Sequence, residues 1–282
     1  MNCKVYIFSL ISSLFLVSCN SINYDFNVSP VFSDQMVLQQ TQSNPIWGTS
    51  SPLSEITITS SWGESVITKA NNIGHWTVKL PTPAYDKDLN IKNQKLKISD
   101  GYKTIEIKDI LIGEVWLASG QSNMEWRMNQ CDGCVTNQDE EIDNSTNDMI
   151  RMFSVPQDLS GEDIKYRKWM SANNETTGQF SATAYYFAKK LHDKLGVPIG
   201  IVNTSWGGTR VEAWTSPKKL RTLEETKDQI PDDYSFLGYQ DYFKKHNDSI
   251  AKVINKKYEY KTYEVPKWTE VKDCLLYTSD AA

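Results

Sequence analysis

Residues 113–126 read Gly-Glu-Val-Trp-Leu-Ala-Ser-Gly-Gln-Ser-Asn-Met-Glu-Trp and join a short apolar run to a polar loop. The run from Val115 to Ala118 predicts a buried strand of a parallel sheet. Ser119 and Gly120 are turn formers and end it. Ser122 is therefore expected just past the carboxyl end of a strand, where open α/β sheets place their ligand sites.

The motif around Ser122 is not the Gly-x-Ser-x-Gly nucleophile elbow, because its fifth position is Met124. Taken alone, the segment is also compatible with a plain strand-to-helix turn whose serine caps the helix. Gly-Gln-Ser-Asn-Met, residues 120–124, nevertheless resembles the first conserved block of the SGNH hydrolases, in the form typical of sialate O-acetylesterases.

A helix, a strand and a glycine loop follow this motif. Ser181 is the expected N-cap of a helix that ends at Gly196, with Pro198 just beyond it. The apolar stripe of this helix is predicted to contain Ala184, Phe187, Ala188, Leu191 and Leu195. Residues 199–203 then predict a second parallel strand, whose exit loop contains Gly207 and Gly208 and is expected at the same sheet edge as Ser122.

The run from Asn203 to Trp214 resembles the second block of sialate O-acetylesterases. Short alternating segments within residues 30–110 predict an all-β, sandwich-like domain. Within it, residues 31–40 and 45–48 resemble the N-terminal β-domain of the same family. The predicted fold class is therefore α/β, a flavodoxin-like SGNH domain over residues 111–270, preceded by this β-domain.

Composition narrows the function classes. The chain has 282 residues, and its formal net charge of −5 gives no indication of nucleic-acid binding. Cys131 and Cys134 lack two further ligands at a matching spacing, so a metal site is not expected, and either a local disulfide or two free thiols remain open.

The N-terminus predicts export. Residues 1–18 read as a signal peptide, and the closing Leu16-Val17-Ser18-Cys19 resembles a bacterial lipobox. This implies lipidation of Cys19, a tether over residues 19–29 and a membrane-anchored lipoprotein in the periplasm or at the cell surface. An ordinary signal peptide with an incidental cysteine is the alternative.

The resemblance implies hydrolysis of O-acetyl esters on sialic acid or related sugars, with no metal or organic cofactor. Ser122 would be the nucleophile, and the N–H groups of Ser122 and Gly208 would bind the oxyanion. Substrate-binding candidates are Gln121, Asn123, Trp206, Arg210 and Glu212. An acetylxylan-type esterase and a non-catalytic glycan-binding lipoprotein are the alternatives.

Two family elements are not found in the sequence: a later Gly-x-Asn block and an Asp-x-x-His. His75, His192 and His246 have no catalytic context. We therefore expect an N-terminal fragment of a longer enzyme, inactive or nearly so, with a non-native tail over residues 271–282.

Overall fold

The computed structural model describes residues 25–87, 94–158 and 163–227. The predicted signal peptide, Cys19, His246 and the predicted tail lie outside these residues. The chain divides into two compact units, Met1–Arg210 and Val211–Ala282, and the strands described below all belong to the first unit.

Eleven strands occur in the described part of the chain. They are β1 (Asn27–Val28), β2 (Val37–Gln39), β3 (Ser43–Thr49), β4 (Glu55–Ser60), β5 (Ser65–Lys69), β6 (His75–Pro81), β7 (Gln94–Ser99), β8 (Thr104–Ala118), β9 (Asn147–Ser154), β10 (Trp169–Ala172) and β11 (Ile199–Asn203).

The strands form two sheets. β1, β3 and β6 form a three-stranded antiparallel sheet. The eight-stranded sheet is mixed and has the order β10-β9-β11-β8-β7-β4-β5, with β2 paired to β8. β11 runs parallel to both β8 and β9, which confirms the predicted α/β class, and the antiparallel sheet is additional to it.

Strand β8 joins the antiparallel and parallel parts of the larger sheet. It pairs with β7 through Ile110, with β2 from Leu111 to Gly113 and with β11 from Glu114 to Ala118. The sequence predicts separate β segments at residues 105–107 and 115–118. The structure has one continuous strand there.

A bulge in β8 is fixed by a buried arginine. Asp109 has a left-handed backbone with φ of 55°, and the register against β7 shifts beside it. Arg151 from β9 donates to the Asp109 carboxylate at 3.0 Å and to the carbonyls of Asp109, Gln35 and Asp148. Arg151 therefore binds the bend of β8 to the loop before β2.

Two apolar cores hold these layers together. The first lies between the two sheets, where Ile46 and Leu80 of the antiparallel sheet share a cluster with Ile58 and Ile98 of the larger one. The second contains Ile199 and Ile201 of β11 together with residues of the long helix. Burial of these side chains is the main favourable contribution to folding.

Four helices lie wholly within the described residues, and one of them is long. They are α1 (Ser122–Glu125), α2 (Gln138–Asp143), α3 (Ala182–Leu195) and α4 (Pro217–Leu220), with 3₁₀ turns at Asp163–Tyr166, Thr177–Gln179 and Val211–Trp214. No helix among the described residues is long and apolar enough to cross a bilayer.

Helix α3 begins and ends as predicted. The Ser181 hydroxyl accepts a hydrogen bond from the Ala184 N–H, and Gly196 takes the left-handed conformation that closes the helix. The predicted apolar stripe is partly wrong. Ala184 and Ala188 are buried, but Phe187 and Leu195 are 43% and 53% exposed, because the buried side of α3 includes Tyr185 instead.

Segment 129–148 is polar and acidic, which predicts a loop or an insertion, with the acidic residues 139–141 on a solvated face. It contains helix α2, and Glu141 within it is half-buried. The Glu141 carboxylate accepts hydrogen bonds from the Tyr185 hydroxyl at 2.9 Å and from the Lys189 ammonium. Burial, and next the bond to Glu141, raise the pKa of Tyr185.

Cys131 and Cys134 form a disulfide, which decides between the two alternatives left open by the sequence. Neither cysteine therefore offers a thiolate to a metal.

Candidate functional site

The two motif loops leave the sheet side by side. Ala118 at the end of β8 and Asn203 at the end of β11 are register partners in parallel strands. Beyond them, the Thr204 N–H donates to the Ala118 carbonyl at 2.9 Å, and the Trp206 N–H donates to the Gly120 carbonyl at 2.8 Å. The prediction that both motifs meet at one carboxyl edge is confirmed.

Ser122 is the first residue of α1 and is exposed. Gln121 is its N-cap and is half-buried, and its carbonyl accepts from the N–H groups of Met124 and Glu125 at 3.0 Å each. The turn before it requires Gly120, whose φ is +140°. The loop therefore presents the Ser122 hydroxyl to solvent at the edge of the sheet.

The backbone N–H of Ser122 is a first-turn donor, which a helix leaves without an intrahelical acceptor. No acceptor in the described part of the chain bonds to it. The same holds for the N–H of Gly208, which lies in the exposed second loop with φ of +75°. Free N–H groups in turns of this kind can bind an oxyanion.

Glu125 links the two loops. Its carboxylate accepts a hydrogen bond from the Gly207 N–H and another from Gln157 Nε2, the latter at 2.6 Å. Gly207 lies so close that a Cβ on it would stand 2.5 Å from Glu125 Oε2 and 3.7 Å from the Ser122 Cα. A side chain at this position would therefore displace the Glu125 carboxylate from the Gly207 N–H.

Neither Glu125 nor Gln157 is among the site residues predicted from the sequence. Glu125 had an available signal, because it lies three residues after Ser122 and so less than one helical turn away. Gln157 had none, since it is isolated in sequence from both motifs.

The second loop is also braced from within. The buried Asn203 side chain accepts from the Ser205 N–H at 3.0 Å and from the Ser205 hydroxyl at 2.7 Å. The Thr209 hydroxyl donates to the Trp206 carbonyl at 2.7 Å. The Asn203 side chain thus holds the conformation of the second loop.

The candidate substrate-binding residues differ in their exposure to solvent. The Asn123 side chain is exposed, while its carbonyl accepts from the Thr183 hydroxyl of α3 at 3.0 Å. Trp206 is half-buried and Arg210 is exposed. Glu212 belongs to the second unit, where it is exposed in the 3₁₀ turn Val211–Trp214, and its part in the site stays a prediction.

Neither described histidine is placed to take a proton from Ser122. His75 is exposed in the three-stranded sheet. His192 lies in the last turn of α3, next to the amino end of β11 and therefore at the opposite sheet edge. The position of His192 off the predicted apolar stripe predicts exposure to solvent. In the structure His192 is half-buried, and its Nδ1 lies 2.7 Å from the Val197 carbonyl.

Comparison with known proteins agrees with this geometry. Residues 112–234 match the model of the family described as carbohydrate esterase, sialic acid-specific acetylesterase. This range begins in β8 and includes both motif loops.

Three sialate O-acetylesterases are similar over most of the chain. The mouse protein is 29% identical over 243 residues, which cover 79% of this chain and 44% of the relative. The rat protein is 31% identical, over 72% of this chain and 40% of the relative. The human protein is 30% identical, over 76% of this chain and 43% of the relative. The chain thus spans less than half the length of these relatives.

The fold has a solved counterpart. A carbohydrate acetylesterase from Xanthomonas citri superposes with a TM-score of 0.60 and 32% identity, over 69% of this chain and 44% of that one. The family match, the similar sequences and this shared fold together show that the chain belongs to the sialic acid-specific acetylesterase family of carbohydrate esterases.

Proposed function

We propose that this chain carries the nucleophile and part of the oxyanion hole of a serine-dependent carbohydrate O-acetylesterase. The observation that carries the proposal is the packing of Gly207 against the Ser122 helix, with the Glu125 carboxylate accepting the Gly207 N–H. This contact puts an exposed serine beside a glycine loop with an unbonded N–H.

The reaction would proceed in two steps. Ser122 Oγ attacks the acetyl carbonyl while a base takes its proton, and the N–H groups of Ser122 and Gly208 bind the oxyanion that forms. Each such donor contributes roughly 3 kcal/mol to lowering the barrier. The ester C–O bond then breaks, and the sugar hydroxyl leaves with the proton from the base.

Water completes the cycle. It attacks the acetyl-serine, the base takes its proton, and acetate leaves as the proton returns to Ser122 Oγ. The base is the histidine that the family resemblance implies. Neither His75 nor His192, the histidines of the described residues, fills this role.

The substrate class proposed is an O-acetylated sugar, with acetylated sialic acid first, because three similar proteins are sialate O-acetylesterases. Gln121, Asn123, Trp206 and Arg210 surround or follow the two loops and are proposed to contact the sugar. An acetylated neutral polysaccharide is the other substrate to be assayed.

The test is acetate release by the protein expressed from its complete reading frame. Ser122→Ala should lower kcat by at least about 10³-fold, the scale seen when a serine nucleophile is removed. Ser119→Ala is the matched control, since Ser119 is exposed on the same loop, and it should change kcat by less than about threefold. Equal loss in both variants, or none in Ser122→Ala, would refute the role of Ser122.

We also propose that the protein is exported and held at the membrane through a lipidated Cys19, in the periplasm or at the cell surface. The lipobox-like residues 16–19 support this, and so does the disulfide between Cys131 and Cys134, because disulfides persist in oxidising compartments. Cys19→Ser should move the protein out of the membrane fraction and abolish incorporation of labelled palmitate. Cys3→Ser is the control, and unchanged fractionation of Cys19→Ser would contradict the proposal.

A further inference from the structure

The three-stranded sheet carries an open groove that shares no residue with the site around Ser122. Its volume is about 670 Å³, and it is lined by residues of β1, β3 and β6 and of the turn before β6. Trp47 is its most prominent feature, because the indole is 44% exposed. The indole therefore offers an aromatic face to a ligand in the groove.

The orientation of Trp47 is fixed. Its ring meets Phe32 edge to face, with centroids 4.5 Å apart. Trp47 and Thr77 are register partners in antiparallel strands, as are Thr49 and His75, so these four side chains share one face of the sheet. The indole is therefore a preformed platform that loses little entropy when a ligand packs on it.

Several polar side-chain groups beside the Trp47 indole make no hydrogen bond within the described residues. In the described part of the chain, no hydrogen bond is made by the His75 imidazole, the Thr77 hydroxyl or the Asn71 amide nitrogen. Asn71 is itself held in place, because its Oδ1 accepts from the N–H groups of Ile73 and His75. The groove thus combines one aromatic surface with several hydrogen-bonding groups around it.

The lining of the groove contains no Lys, Arg, Asp or Glu. An anionic sugar such as sialic acid is normally bound by a charge-assisted hydrogen bond from Arg or Lys to its carboxylate. An uncharged pyranose needs only an aromatic face for its C–H surface and neutral partners for its hydroxyls.

We propose that this groove is a non-catalytic binding site for a neutral sugar, with Trp47 as the stacking platform and Asn71, His75 and Thr77 as hydrogen-bonding partners. The groove would hold an uncharged sugar residue of a glycan against the indole. The inference is independent of the esterase reaction, because the groove and the serine loop have no residue in common.

The experiment titrates the protein with xylohexaose, cellohexaose and N-acetylneuraminic acid, none of which carries an O-acetyl ester. Indole N–H resonances are followed by NMR, and the resonance of Trp47 among the nine tryptophans is assigned by substitution. At least one neutral oligosaccharide should shift the Trp47 resonance saturably below about 10 mM, which is the range of weak specific binding.

Trp47→Ala should weaken this binding at least about tenfold, as expected for loss of an aromatic anchor. Trp116→Ala is the matched control, since Trp116 is also 44% exposed but lies in β8, outside the groove, and it should bind as the parent does. Thr77→Arg is the second variant, because it fills the groove while leaving the Trp47–Phe32 contact in place. It keeps the test valid if Trp47→Ala fails to fold.

Three results would overturn the inference. One is the absence of any saturable shift with both neutral oligosaccharides. Another is binding that survives Trp47→Ala or Thr77→Arg in a folded protein. The third is N-acetylneuraminic acid binding at Trp47 as tightly as the neutral sugars, which would remove the argument from charge.

Discussion

The Gly207 N–H donates a hydrogen bond to the carboxylate of Glu125, 82 residues earlier in the chain. This contact joins the loop after β11 to the helix that begins with Ser122. The Glu125 carboxylate is also bonded by Gln157 Nε2, so three segments of the chain meet at one side chain. We expect Glu125 to position the loop after β11, which contains Gly208, without touching the substrate.

Gly207→Ala tests this arrangement. Its Cβ would stand 2.5 Å from Glu125 Oε2, so the carboxylate must turn away from the Gly207 N–H. If that contact positions the loop, its loss displaces the loop, and a displacement of about 1 Å costs roughly 10²-fold in kcat. Gly63→Ala, in the turn between β4 and β5, is the matched control: no atom lies within 4 Å of its added Cβ, although its φ of +98° costs about 1–2 kcal/mol of stability. Acetate release and thermal unfolding are measured for both, and full kcat in Gly207→Ala would contradict the positioning role.

Arg151→Ala should destabilise the fold by about 2–4 kcal/mol, because it leaves Asp109 and three backbone carbonyls without their buried donor. Arg127→Ala is the comparison, since Arg127 is exposed and its side chain makes one bond, to Gln179 at 3.3 Å. That variant should stay within about 0.5 kcal/mol of the parent in urea unfolding. Equal losses in the two variants would show that the bend of β8 does not depend on Arg151.

Alkaline stability should depend on Tyr185. Its pKa is raised in the folded state from the ordinary value of 10.0, first by burial and then by the hydrogen bond to Glu141. The folded state therefore favours the protonated phenol. The resulting contribution to the free energy of unfolding is fully present below pH 10.0 and is lost as pH rises toward the pKa of the folded state.

Tyr185→Phe should accordingly reduce the loss of stability above pH 10, as measured by denaturant unfolding at several pH values. Tyr102→Phe removes a phenol that is 96% exposed and should leave the alkaline slope unchanged. An unaltered slope in Tyr185→Phe would count against the account.

The polypeptide of 282 residues is expected to release acetate at or near the uncatalysed rate, because an unactivated serine is a weak nucleophile. His75 and His192 are remote from the serine loop, and His246 has no catalytic context in the sequence. Acetate is measured with this polypeptide and its Ser122→Ala variant. Release that the substitution abolishes would show that a base is present after all.

The features that could be predicted from the sequence are those that depend on residues close together in the chain. The Ser181 cap and the Gly196 stop follow from single side chains. Ala118 and Asn203 lie at the same edge of the sheet because their strands run in parallel. The contact of Glu125 with Gly207 could not be predicted, since it depends on how segments far apart in the chain pack together.

Packing between distant segments also explains why the predicted β segments within β8 and the predicted apolar stripe of α3 were partly wrong. Strand β8 passes through the Asp109 bulge, where Arg151 from β9 binds, and no local pattern indicates this contact between distant segments. Phe187 matched the periodicity of the stripe, yet in the fold it meets the exposed Trp116 edge to face, with centroids 5.1 Å apart.

The most direct measurement is mass spectrometry of the protein from its complete reading frame, quenched during turnover of an O-acetylated sugar. The account predicts one added acetyl group on the peptide containing Ser122, absent from the Ser122→Ala variant. An acetyl group on another residue, with turnover persisting in Ser122→Ala, would contradict the claim that Ser122 is the nucleophile.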